Sequence, residues 1–119
     1  MMELQSEEQR IPISMMHGAI FASLQVALMP HLMRKLREDL LEMARQHRCS
    51  RALLDISGIE TMDKGEFDGL IETAKMLRLM GVKTIVVGMR PGIISGLSAV
   101  GADMTALPGV CNLEQALEG

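Results

Sequence analysis

Tyrosine and tryptophan are missing from this chain, and phenylalanine occurs only at Phe21 and Phe67. With so few rings there is no platform on which nucleic-acid bases could stack. Positive charge is also scarce. Twelve Lys and Arg stand against fifteen Asp and Glu, a formal net charge of −3, so no basic field draws a phosphate backbone and nucleic acid is not an expected partner. The two cysteines, Cys49 and Cys111, lack metal-ligand spacing. They read as free thiols in a reducing setting, and with no signal-peptide pattern the expected location is cytoplasmic. His17, His31 and His47 are scattered, so no metal site is expected.

Catalytic motifs are lacking as well. No P-loop occurs, and Gly92, Gly96 and Gly101 do not follow the G-x-G-x-x-G spacing of a dinucleotide site. No Ser or Cys stands in a motif that would bring it to a His and an acid. The expectation is therefore no catalytic residue, no cofactor and no enzymatic activity. One long run, Ile11–Met33, contains no Asp, Glu, Lys or Arg. Its Pro12, Ser14, His17, Gly18, Ser23, Gln25 and Pro30 break it into two strands and a turn, which argues against a transmembrane helix and a membrane partner.

What is present points to a packed α/β domain. A length of 119 residues with 48% hydrophobic content suits a single domain over 1–119, with residues 1–9 polar and flexible. The twelve methionines serve as adaptable core filler or as an adaptable partner surface.

The organising stretch is Leu53–Phe67. Leu53, Leu54 and Ile56 form a compact apolar run, as in a strand buried on both faces. Ser57 and Gly58 interrupt it. Asp63 then precedes Glu66 by three residues, the pattern of a capping box opening a helix. Phe67, Leu70, Ile71, Ala74, Leu77 and Leu79 give that helix an apolar side, and Gly81 ends it. Thr84–Val87 is the next strand, parallel to the first through a right-handed crossover. The Asp55–Asp63 loop then lies at the carboxyl end of its strand, where open α/β sheets place their sites. Asp55 and Asp63 either form a carboxylate pair near the loop or, as expected, Asp55 orders the loop and Asp63 caps the helix.

Around this unit, Arg10–Met15 reads as an edge strand, the only kind in which Pro12 is tolerable, and Ala19–Val26 as its antiparallel neighbour. Ile20, Ala22, Leu24 and Val26 fall on one side of that neighbour, Ala19, Phe21, Ser23 and Gln25 on the other. Pro30 opens a helix with Met33, Leu36, Leu40, Met43 and Ala44 inward, ending near His47. Pro91 opens another, with Ile93, Ile94, Leu97 and Val100 on its apolar side and Gly101 stopping it. Asp103–Leu107 is expected as a short strand and Leu113–Leu117 as a last helix. The expected fold is thus a mixed sheet of four to five strands with about four helices packed on it.

The order of elements, with Leu54–Asp63 (LDISGIETMD) and Ala74–Pro91 (AKMLRLMGVKTIVVGMRP), resembles the STAS domain of anti-sigma-factor antagonists. Arg10–Ile13, Leu24–Val26 and the Gly88-Met-Arg-Pro91 segment are similar to the RsbS-type antagonists of the stressosome. The resemblance implies a binding protein whose partners are a serine/threonine kinase or an anti-sigma factor, together with a STAS-domain co-antagonist in an oligomer or larger assembly. It places the partner-binding surface at Ser57, Met62, Asp63, Lys64 and Glu66. It also implies a phosphorylated Ser or Thr immediately after the Asp. Here that position is Lys64, which cannot take a phosphoryl group, followed by Gly65. Ser57, Thr61, Ser95 and Ser98 remain as alternative phosphosites. The alternative reading is a STAS module binding a small anionic ligand or lipid at the Asp55–Glu66 loop and helix start.

Overall fold

A computed structural model describes residues 11–25, 27–106 and the backbone of 109–110. Strands β1 (Ile13–Met16) and β2 (Ala19–Ser23) form an antiparallel hairpin whose turn holds His17 and Gly18 at positive φ. Helix α1 (Pro30–Gln46) follows, then β3 (Arg51–Asp55), α2 (Lys64–Leu79), β4 (Lys83–Val87) and α3 (Pro91–Ala99). A 3-10 turn at Met104–Ala106 leads to β5, only Gly109–Val110. The sheet order is β1-β2-β3-β4-β5, with every pair after the hairpin parallel.

The crossovers from β2 to β5 all step in one direction. Right-handed connections then lay α1, α2 and α3 on the same face of the sheet. Burial agrees. Leu36 and Leu40 of α1, Phe67 and Leu70 of α2, and Ile93 and Leu97 of α3 share one core with Ile20, Ala22, Leu54 and Val86. The opposite face carries a smaller cluster, Ala19, Leu53, Ile85 and Val87, with Phe21 against it. The alternation read for β2 holds for Ile20, Ala22 and Leu24 against Ala19 and Phe21, with Val26 outside the described residues, and β3 is buried on both faces, as its unbroken apolar run requires.

Helices α1 and α2 pack closely because Gly69 has no side chain: a Cβ there would lie 2.9 Å from Met33 Cε. Arg37 ties the pair, donating from Nε to Thr73 Oγ1 at 3.0 Å and from Nη2 to the Gly69 carbonyl at 3.2 Å.

Several expectations are corrected. Asp103–Leu107 contains the 3-10 turn, not a strand, because Asp103 Oδ1 accepts from both the Thr105 amide and its hydroxyl and curls the chain. Strand β2 ends at Ser23 rather than Val26, and β3 at Asp55 rather than Ile56. Leu79, Ile94 and Val100 are not core residues; Leu79 is 89% exposed at the end of α2. Three α-helices are present among the described residues, and the helix expected at Leu113–Leu117 lies outside them, as do residues 1–9 and Cys111. Cys49 is a free, half-buried thiol, and burial pushes it up from its ordinary value.

Candidate functional site

Parallel strands β2, β3 and β4 all end at one edge of the sheet, so the loops that follow them converge there. The loop after β3 is fixed at its base. Ile56 N–H donates to the Val87 carbonyl at 2.9 Å, and Leu24 N–H to the Asp55 carbonyl at 2.9 Å. Asp55 Oδ1 accepts the Ser57 amide at 3.0 Å, the side-chain-to-backbone turn expected of that residue. Ile59 N–H closes a turn on the Ile56 carbonyl at 2.9 Å.

Two neighbours were not legible as site residues. Arg90 sends Nε and Nη2 to the Ser57 carbonyl at 3.1 and 3.0 Å, tying the loop after β4 to the loop after β3. Gly88, at φ +78, backs onto the same residue; a Cβ there would lie 2.8 Å from Ser57 Cβ and 3.0 Å from its amide. The Gly88-Met-Arg-Pro91 segment stood out in the sequence, but nothing local says that its arginine reaches across 33 positions. Gln25 is the other neighbour, covering Gly58 so closely that a Cβ there would meet Gln25 Oε1 at 2.4 Å.

The helix start is a complete capping box. Glu66 N–H donates to Asp63 Oδ1 at 2.7 Å, and Asp63 N–H to Glu66 Oε1 at 2.9 Å. Lys64 is the first helical residue, exposed, with Nζ 3.0 Å from Asp68 Oδ2 one turn on. Beside this start, the first turns of α1 and α2 enclose a groove of about 540 Å³, with Leu28 and Met33 inside it and Arg34 at its lip.

The expected residues therefore divide by role. Asp63, Lys64 and Glu66 stand together at the helix start, where Glu66 is occupied by the cap, while Ser57 lies at the other end of the loop, held by Asp55 and Arg90. Met62 is half-buried against the main core, so it anchors the loop from beneath. Thr61 is exposed on the loop, whereas Ser95 and Ser98 lie on the exposed side of α3. No group of His, Cys, Asp and Glu able to hold a metal occurs among the described residues.

Comparison with known proteins decides the family. The STAS domain matches residues 9–114. The chain belongs to the STAS domain family. A curated STAS relative, the RsbT co-antagonist protein RsbRA of Bacillus subtilis (strain 168), is 29% identical over 72 residues, 60% of this chain. The chain spans about a quarter of that relative, the match covering 26% of its length. Among solved structures, a serine-to-glutamate variant of RsbS from Moorella thermoacetica matches with TM-score 0.77 and 23% identity, over 92% of each chain. A chain of the stressosome, described as a signal integration and transduction hub, matches with TM-score 0.76 and 22% identity, over 90% of this chain and 93% of that one. The anti-sigma factor antagonist SpoIIAA in its unphosphorylated form gives TM-score 0.70 at 14% identity, over 91% and 93%. These structural matches establish a shared STAS fold. Two of these proteins are named for antagonism, RsbRA as a co-antagonist of RsbT and SpoIIAA as an anti-sigma factor antagonist. No helix among the described residues is long and apolar enough to cross a membrane.

Proposed function

We propose that this STAS domain is a non-enzymatic regulator that docks a serine/threonine kinase or an anti-sigma factor through the Asp55–Glu66 loop and the start of α2. A STAS-domain co-antagonist joins it in a stressosome-like cytoplasmic assembly, and the docking is not released by phosphorylation after Asp63. The support is a relative named as a co-antagonist and fold neighbours that include the stressosome and SpoIIAA in both unphosphorylated and phosphorylated forms. The observation that carries the reading is Lys64. The helix start that would present a hydroxyl is intact, capped by Asp63 and Glu66, yet its first residue carries an ammonium engaged with Asp68. A cation that close to Asp68 has no phosphoryl-accepting oxygen and gives no like-charge repulsion of the kind phosphate would add.

The alternative of an anionic ligand at this helix start has less behind it. The amide of Glu66 is taken by the Asp63 carboxylate and that of Phe67 by the Asp63 carbonyl, so an anion would have to displace the chain's own cap.

The test is pull-down of the full chain with the serine/threonine kinases, anti-sigma factors and STAS proteins encoded in the same genome, with and without ATP. A kinase or anti-sigma factor complex that persists in ATP supports the proposal. No complex with any of them, alone or with a co-antagonist present, overturns it.

A further inference from the structure

Thr84, near the start of β4, pairs in register with Ala52, so it falls on the helix-covered face with Ala52 and Val86. Its side chain is 4% exposed, and its hydroxyl oxygen is buried with no hydrogen-bond partner among the described residues. A valine has the same branched shape and would fill the position without a polar atom. A buried hydroxyl with no partner lowers stability, so its presence calls for a partner from outside the chain.

Thr84 lies on the floor of a groove of about 490 Å³ between the last turns of α2 and the 3-10 turn. The α2 wall is one stripe, Ile71, Ala74, Lys75 and Arg78, at the three- and four-residue spacing of a single helix face. Val82 continues the apolar part. Lys83 also lines the groove, which makes three cations, and no described carboxylate lines it. The acids nearby are engaged elsewhere. Glu72 stands 3.7 Å from Lys75, and Asp103 accepts from the Thr105 amide and hydroxyl. Arg78 has no ion pair among the described residues. A water beside Thr84 would be poorly held, because Ile71, Ala74 and Val82 offer it no second side-chain partner. An apolar cleft with a few convergent polar groups is the form of a small-molecule site.

We infer that this groove binds a small amphipathic acid that carries a second oxygen, a hydroxy or oxo carboxylate. Its apolar chain lies along Ile71, Ala74 and Val82. Its carboxylate sits between Arg78, which supplies a planar fork of donors, and Lys75, which supplies a point charge. The second oxygen meets the Thr84 hydroxyl, which can donate to a carbonyl or accept from a hydroxyl. The site is at the opposite end of α2 from Lys64, so it stands without the partner reading above, and the two experiments fail independently.

The test is calorimetric titration and amide NMR of the full chain with β-hydroxydecanoate, decanoate and decanol, each below its micelle-forming concentration. Wild type is expected to bind one β-hydroxydecanoate, shifting the Val82 and Thr84 amides, about tenfold more tightly than either comparison ligand. Lys75→Glu/Arg78→Glu should weaken that binding by at least about tenfold, with a melting temperature near wild type because both side chains are exposed. Thr84→Val should melt above wild type when no ligand is present, and should bind decanoate and its hydroxylated form equally. A lower melting temperature for Thr84→Val would mean that the hydroxyl serves the fold, and overturns the inference. So does the absence of binding by wild type, equal affinity of wild type for the two acids, or affinity that survives the loss of both cations. Binding to phosphatidylglycerol vesicles without binding of the free acid would also overturn it, in favour of a lipid surface.

Discussion

The ammonium of Lys64 lies 3.0 Å from the Asp68 carboxylate, one turn along the same helix, at the first position of α2. Both side chains are about half exposed, so the pair contributes little to stability, and its interest lies in what it displaces. With its cognate kinase and ATP, the wild-type chain should show no phosphate on residues 62–66 by mass spectrometry. Lys64→Ser should gain one, because the Asp63–Glu66 cap still presents the position. A bound kinase should then leave Lys64→Ser sooner than wild type. A phosphate on Ser57, Thr61, Ser95 or Ser98 of wild type that releases the kinase would refute permanent docking while leaving the regulator class intact.

Reversing charge at the helix start should separate two neighbours. Lys64→Glu is expected to change stability by no more than about 0.5 kcal/mol, as exposed positions do. Glu66→Lys should cost about 1 kcal/mol, because it removes the acceptor of the Asp63 amide and puts a cation at the helix N-terminus. Urea titrations at neutral pH measure both. Equal costs would mean that the reach-back bond contributes nothing in solution.

The sequence carried most of this fold, and its failures have physical causes. Leu54 and Leu53 read as a doubly buried strand because nothing polar interrupts them, and both are fully buried. The Asp63–Glu66 box was legible because a cap is a local interaction at fixed spacing. Leu79 was misread because apolar spacing says which side of a helix a residue takes but not how far the sheet extends beneath it. Arg90 was missed as a loop tie for a different reason: its partner is a backbone carbonyl, which leaves no signature in residue type.

Leu54 pairs with Ala22 on one side and Val86 on the other, at the centre of the sheet. Leu54→Asp would strand a charge there and should cost on the order of 3 kcal/mol or more. A melting temperature within a few degrees of wild type would contradict the burial.

Gly88→Ala tests the tie between the two loops. At φ +78 the added methyl is strained, and it would press on Ser57, so a loss of about 1–3 kcal/mol is expected. Arg90→Ala removes the other tie without strain and should speed exchange of the Ile59 amide more than it lowers the melting point. If hydrogen exchange in the 56–60 segment is unchanged in both variants, the loops are independent.

The hydrogen bond from Ile56 to Val87 also orders events in time. A chain leaving the ribosome has Ser57, Asp63 and Lys64 outside long before β4 exists, and until Val87 arrives the base of the loop is held on the β2 side alone. Nascent chains and fragments that stop short of Val87 therefore carry every residue of the docking loop, its local turns and its helix cap, but not the bond to β4 or the tie from Arg90. The loop reaches its full set of supports only once the strand beyond it has been made.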